Sequence, residues 1–479
     1  MTRLAYWLSC IAACFLLAVA SAAEDSRGIS GVTIHASAEP IPVLTEITIN
    51  GQPAAAFWDK YFADLFAMFD RNGDGSLDRT EAARVPQPAS LLAEFRGDFD
   101  NVTGEFASPA EIDRVPADGK ISPHEFAHFL LRAGIGEPTL RVASSATGLD
   151  APSAHRIFEL LATSPGSWSM ASLNDAYRRL RALDANDDER LSFAELSFSL
   201  SERPASADTM KRKITFSPML KVKATSSTSM KLAVRLDEAA PTVRRLDLPH
   251  GNAGSDELTA DLGSVRLRLQ AMPGNGGQDF DSSRQSLLQQ FEADDLNHDQ
   301  SLEAAELQQS TSGAYYALLL AVADRNSDGR LSSAELNRYL DLQASAAKHC
   351  VVVTASNLGS SLAAALDVDG DVSLSLRELR HGWPRVESWD RNRDGALAWK
   401  EVPSECRLTW SVGRPQIQPA TRAATNLVSN VPHWFQSMDR NRDGDLSRHE
   451  FFGTLADFRR YDADRDGLIS PAEAIAAKN

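Results

Sequence analysis

Four cysteines in 479 residues are too few for a disulfide-stapled fold, so something other than covalent crosslinks must hold this chain together. Basic residues are in deficit, 49 Lys and Arg against 65 Asp and Glu. The resulting net charge of −16 is spread along the whole length, which excludes nucleic acid as a partner. Long apolar runs are absent beyond the very start, so no later segment is predicted to span a bilayer. Glycine-rich phosphate loops, nucleophile elbows and kinase signatures are also missing. What remains is 43% hydrophobic and 24% charged, the composition of an ordinary globular chain of about three domains.

The single apolar run reads as an export signal over residues 1–22: Arg3 supplies the positive end, residues 4–19 the apolar stretch, and Ala20-Ser21-Ala22 the small-residue cleavage motif. Ile11-Ala12-Ala13-Cys14 resembles a lipobox, but Phe15-Leu16-Leu17 carries the apolar run past the cysteine. The expectation is a secreted or periplasmic protein whose mature chain starts near Ala23. Cys350 and Cys406 then remain, either as one disulfide or as two buried thiols.

A twelve-residue pattern recurs intact eight times. In the first copy its positions 1, 3, 5, 7 and 12 are Asp70, Asn72, Asp74, Ser76 and Glu81; in the second, Asp184, Asn186, Asp188, Arg190 and Glu195. The third and fourth carry Asp295, Asn297, Asp299, Ser301 and Glu306, then Asp324, Asn326, Asp328, Arg330 and Glu335. The fifth and sixth carry Asp367, Asp369, Asp371, Ser373 and Glu378, then Asp390, Asn392, Asp394, Ala396 and Glu401. The last two carry Asp439, Asn441, Asp443, Asp445 and Glu450, then Asp462, Asp464, Asp466, Leu468 and Glu473. Calcium takes six to eight oxygens at about 2.3–2.6 Å, and this spacing delivers them from one loop: side chains at 1, 3 and 5, a carbonyl at 7 and a bidentate Glu at 12. Position 8 is Leu or Ile in every intact copy, as a short contact between paired loops requires. Serine is frequent at position 9, where it can cap the following helix with Glu at its third residue.

The pattern closely resembles the calcium-binding loop of the EF-hand family, and the chain resembles secreted multi-EF-hand proteins. The resemblance implies Ca2+ as the cofactor and helix-loop-helix pairs as the building unit. Two decayed copies complete the count: residues 161–172 keep Gly166, Trp168 and Ser169 without acids, and Asp118-Gly119-Lys120-Ile121-Ser122 with Glu125 lacks acids at Arg114 and Pro116. Starts 23 residues apart at 161/184, 367/390 and 439/462 suggest pairing of sequence neighbours, and five sequential pairs result: 57–135 (second loop degenerate), 150–202 (first loop degenerate), 284–345, 349–413 with a strand on each side, and 427–479. Gly382 and Pro384 should split the connector of the fourth pair into two short helices. Position 6, which favours a left-handed backbone, is Glu189, Gln300 and Val372 in three loops; these should bind most weakly, and Val372→Gly should tighten its loop.

Elsewhere the period changes to two. Residues 213–217, 220–225, 230–236, 243–248 and 265–272 read as strands of a small antiparallel domain at 206–275, with 350–354 and 407–412 as further members of its sheet. Residues 32–36 and 44–50 suggest a separate hairpin within an N-terminal segment at 23–56. The fold class expected is therefore α+β, EF-hand pairs plus a small antiparallel β-domain.

His124-Glu125-Phe126-Ala127-His128 has the spacing of a zinc hydrolase motif, but Glu125 is already the last ligand position of a decayed loop and no third ligand stands at a distinctive spacing. Trp383, Trp389, Trp399 and Trp434 read as packing residues of the last two pairs. The function expected is non-enzymatic calcium binding, with mainly structural ions and a role in adhesion or assembly with other extracellular or envelope proteins. Two other classes compete: a calcium sensor, for which 8 methionines are few, and a scaffold for hydrolysis at 124–128.

Overall fold

The computed structural model describes residues 29–35, 40–99, 102, 104–114, 117–144, 151–162, 166–180, 183–184, 189–198, 215–218, 230–237, 240–247, 254–262, 265–308, 310, 313–368, 373–416, 431–441 and 443–476. The export signal, the strand expected at 220–225, and Asn186, Asp188, Asp369, Asp371 and Val372 lie outside them. The fold is mixed helix and strand, as the two periodicities require.

Among the described residues two packed sheets hold ten main strands. They are β1 (Ile29–His35), β2 (Ile41–Ile49), β3 (Thr139–Ser144), β4 (Thr215–Pro218), β5 (Met230–Leu236), β6 (Thr242–Arg245), β7 (Glu257–Asp261), β8 (Val265–Ala271), β9 (Val351–Ser360) and β10 (Ser404–Val412). A short edge strand, Gln52–Pro53, pairs with β2. One sheet runs β4-β1-β2-β5-β6 and the other β7-β8-β10-β9-β3. Alternation puts Met230, Leu232, Val234 and Leu236 on the inner face of the first sheet, against Val265, Leu267, Leu269, Val353, Leu408 and Trp410 of the second. The hairpin near the N-terminus is thus not a separate segment: β2 is a central strand of this sandwich.

The sandwich is also not purely antiparallel. β2 pairs parallel with β5, β8 with β10, and β9 with β3. Parallel neighbours need long crossover connections, and the helix-loop-helix segments supply them. The chain leaves the sandwich after β2 and after β8, and each time it runs through two helical segments with one strand between them. β3 (Thr139–Ser144) is the intervening strand on the first pass and β9 on the second.

The helical segments assemble into three units, and their pairing is not sequential throughout. Residues from 57–135 and from 280–350 share one hydrophobic core. Within it Leu77 bridges Ile121, and Leu302 pairs with Leu331. The C-terminal pair has a small core of its own and joins Leu446 to Ile469. The second and fourth expected pairs, 150–202 and 349–413, do not exist as such. Leu191 pairs with Leu374, and Trp168 pairs with Leu397, so each loop's partner comes from the other pass of the chain. A spacing of 23 residues shows only that two loops are neighbours in sequence. The shared core of Phe158, Trp168, Leu173, Leu196, Leu362, Leu379, Trp389 and Trp399 decides which loops meet. In every pair position 8 faces position 8.

The connectors of the last two loop pairs in the chain differ. Gly382 does split its connector, into helices Leu376–Arg380 and Trp383–Val386. The last connector is helical only over Leu455–Tyr461, because Thr454 caps it through Asp457. The structure keeps Cys350 and Cys406 as free thiols. β9 and β10 are antiparallel neighbours, but Val351 faces Val412 whereas Asn357 faces Cys406. The cysteines are therefore on the order of 20 Å apart along the ladder, beyond the roughly 7 Å that a disulfide spans.

Candidate metal sites

Each described loop is shaped by its own ligand residues. The position-1 aspartate accepts the amide of position 6: Gly75 to Asp70 at 3.0 Å, Gly329 to Asp324 at 3.2 Å, Gly395 to Asp390 at 2.9 Å and Gly444 to Asp439 at 3.2 Å. Position 3 accepts the amide of position 5, as Asn72 does from Asp74 at 2.7 Å and Asn326 from Asp328 at 2.9 Å. Position 5 accepts the amide of position 7, as Asp74 does from Ser76 and Asp394 from Ala396. These local bonds explain why Asp and Asn hold the ligand positions: their short side chains fold the backbone around themselves.

The glutamate at position 12 closes each loop. Glu81, Glu306, Glu335, Glu378, Glu450 and Glu473 each take the amide of position 2 on Oε1, at 2.6–3.1 Å. Their Oε2 takes the amide of position 9, as in Ser332 to Glu335 and Ser470 to Glu473. Glu195 and Glu401 make the same Oε2 bond, from Ser192 and Ala398. One carboxylate thus joins the start of the loop to the first turn of the next helix.

The arrangement fits a hard cation. Among the described residues, Oδ1 of Asp324 and of Asp462 is buried and receives no hydrogen bond, although each residue's Oδ2 does. A buried carboxylate oxygen without a donor is costly unless a cation meets it. One oxygen each from Asp462, Asp464 and Glu473 lie within 4.8 Å of one another. The donors are all oxygen, which suits calcium or magnesium rather than zinc or copper. The residues to hold an ion are the side chains at positions 1, 3, 5 and 12, with the carbonyls of Ser76, Arg190, Ser301, Arg330, Ser373, Ala396, Asp445 and Leu468 at position 7.

Burial and crowding act on the carboxylates of the C-terminal pair. Burial raises the Asp443, Asp462 and Asp466 carboxyls above the usual range, and neighbouring acids add to it. Asp445 is pushed up to about 7 by burial, against the opposing effect of Arg377. Arg377 Nη1 lies 2.9 Å from Asp445 Oδ1 and so ties this pair to the cross-paired unit. Arg71 makes a similar link elsewhere, donating to the Asp324 carbonyl and, at 2.6 Å, to Ser327 Oγ.

Positive φ occurs at position 6 even without glycine: Glu189 is at 60° and Gln300 at 65°. Position 4 is left-handed as well, at His298, Ser327, Arg393 and Arg465, a requirement that the sequence pattern did not reveal. The partner-bearing roles of Arg71 and Arg377 were likewise invisible, because both depend on which units touch. His124 and His128 lie one helical turn apart, with ring centroids 5.9 Å from each other. Between them, Glu125 Oε2 is engaged by the Ser122 amide and hydroxyl at 2.9 and 2.8 Å.

The sequence profile of the EF hand matches at residues 62–84, 317–340, 432–451 and 455–473, which contain the loops starting at Asp70, Asp324, Asp439 and Asp462. Paired helix-loop-helix units with oxygen-lined twelve-residue loops define a calcium-binding protein of the EF-hand type. These four segments belong to the EF-hand superfamily. No characterised protein and no solved structure matches the chain. Among the described residues, no helix is long and apolar enough to cross a membrane.

Proposed function

We propose that the protein is a non-enzymatic calcium-binding scaffold of an extracytoplasmic compartment, in which the eight intact loops hold ions and the ions hold the two passes of the chain together. The observation that carries this reading is the crossed unit. Its loops at 184–195 and 367–378 meet in a short ladder centred on Leu191 and Leu374, and its loops at 161–172 and 390–401 in one that holds Trp168 and Leu397. Ions that rigidify such loops stabilise contacts between distant parts of the chain, so metal binding is coupled to folding. A switch would need a helix pair free to swing, whereas here Arg377 and Asp445 tether one unit to the next.

Glu125 supports the non-enzymatic reading. A metal-site general base must reach its water or substrate, and this carboxylate has Oε2 held by Ser122 in a capping box and Oε1 buried. Secretion or periplasmic export rests on residues 1–22, and adhesion or assembly with envelope proteins on the rigid multi-unit form. Chelation followed by far-ultraviolet dichroism tests the central claim: helicity should fall on calcium removal. Helicity that survives, with apolar dye-binding surface appearing only when calcium is added, would favour a sensor. N-terminal sequencing of exported protein, expected to begin near Ala23, tests the compartment.

A further inference from the structure

The loop between Asp113 and Glu125 departs from the repeat by one residue. Counted back twelve from Glu125, position 1 is Arg114, which is exposed. The structure puts the residue before it in that role. Asp113 Oδ2 accepts the Gly119 amide at 2.9 Å, the bond that position 1 makes to position 6 in the intact loops, here across six residues instead of five. Gly119 is left-handed at 85°, Lys120 donates its amide to Asp118 Oδ1 at 2.9 Å, and Glu125 forms the capping box with Ser122. Ile121 then pairs with Leu77 of the loop starting at Asp70. All the landmarks of positions 1, 5, 6, 8, 9 and 12 are present.

Two further atoms point inward. Asp113 Oδ1 and Glu125 Oε1 are each buried without a hydrogen-bond partner among the described residues. Oδ1 of Asp324 and Asp462, position 1 of two loops that match the family profile, is left in the same state. In six intact loops Oε1 of the closing glutamate is occupied by the position-2 amide; with the extra residue, Glu125 Oε1 receives no such bond. Two carboxylate oxygens buried without a donor in one loop are costly unless a cation meets them.

We infer that residues 113–125 form a ninth divalent-cation site, a thirteen-residue loop with Asp113, Asp118 and Glu125 as carboxylate ligands and the Lys120 carbonyl as the fourth protein donor. Val115, Pro116 and Ala117 bring no side-chain oxygen. The site therefore has one protein ligand fewer than its neighbours and binds more weakly, with water completing the shell of a hard cation. The inference rests on the reading of the intact loops as calcium sites, and the experiment separates the two.

Native mass spectrometry of the full mature chain in millimolar calcium counts the ions. Asp113→Asn with Glu125→Gln should remove one ion; both replacements keep the oxygens that accept from Gly119 and Ser122, so the loop keeps its shape. Asp324→Asn with Glu335→Gln is the reference and should also remove one. An unchanged count in the first variant beside a loss in the second overturns the ninth site alone. No loss in either overturns the reading of the intact loops and the ninth site with it. If dichroism shows the double variant unfolded, Glu125→Gln alone decides by the same count.

Discussion

Leu191 lies directly opposite Leu374 in a two-stranded contact between loops that the chain reaches on separate passes through the sandwich. Their neighbours Ser192 and Ser373 are also opposed in the register. Directly opposed Cα atoms in an antiparallel pair are about 4.5–5.5 Å apart, within disulfide range. With Cys350 and Cys406 changed to Ser, the variant Ser192→Cys/Ser373→Cys should crosslink on mild oxidation. Ser167→Cys/Ser192→Cys, which sequential pairing would place opposite each other as positions 7 and 9, should remain reduced. The opposite pattern on peptide mapping would restore sequential pairs.

Calcium removal should destabilise the whole molecule rather than one part. A site held at about a hundred times its Kd contributes roughly 2.7 kcal/mol, and several sites act on the same shared cores. Calorimetry in EDTA should show a melting temperature lower by about 10 °C or more. Titration that finds two or fewer ions would contradict the reading of the loops.

Gln300 and Glu189 share a left-handed position 6 but differ in surroundings. Gln300 is exposed, so Gln300→Gly should relieve about 1 kcal/mol of backbone strain and tighten calcium at that loop roughly fivefold. Glu189 is almost wholly buried, and its carboxyl lies against Ser447 of the C-terminal pair. Glu189→Gly should gain nothing, because the lost contact offsets the relieved strain. Equal tightening in both variants, read by calorimetric titration, would show that the contact is immaterial.

Glu94 is fully buried where the first and third helical segments meet, and Tyr339 donates to its Oε2 at 2.7 Å. Tyr61 and Tyr315 lie close to it, and Tyr61 in turn donates to Gln343 Oε1. Burial raises the Glu94 pKa from 4.5 to about 8, with the Tyr339 hydrogen bond and the nearby Tyr315 hydroxyl opposing. The folded protein therefore keeps a proton that the unfolded chain releases above about 4.5. This contribution is fully present below pH 4.5 and is lost as pH rises towards 8, at up to about 1.4 kcal/mol per pH unit. In saturating calcium, Glu94→Gln should flatten that slope between pH 5 and 8 relative to the parent. Parallel stability profiles would rule out a buried proton at this position.

The two cysteines should titrate as thiols. Burial pushes Cys350 and Cys406 each up to about 12, so neither is reactive in the folded protein. Unfolding without reductant should expose two thiols per mature chain to a colorimetric reagent. None would mean that a disulfide forms despite the register.

The loops were legible in the sequence because each is specified locally. Asp70, Asn72 and Asp74 fold the backbone around their own oxygens, and Glu81 closes the loop ten residues on from the amide it accepts. The strands were mostly legible from alternation in stretches such as Met230–Leu236, although β3 and β7 were not anticipated. What sequence spacing did not determine was partnership. Trp168 meets Leu397 rather than a loop 23 residues away, β2 lies parallel to β5, and Cys406 faces Asn357 rather than Cys350. Even the thirteenth residue of the loop from Asp113 to Glu125 showed itself only through the Gly119 amide. Ligand spacing and capping act over a dozen residues and are written in order along the chain. Pairing and register are set by which apolar faces bury one another, and only the assembled core decides that.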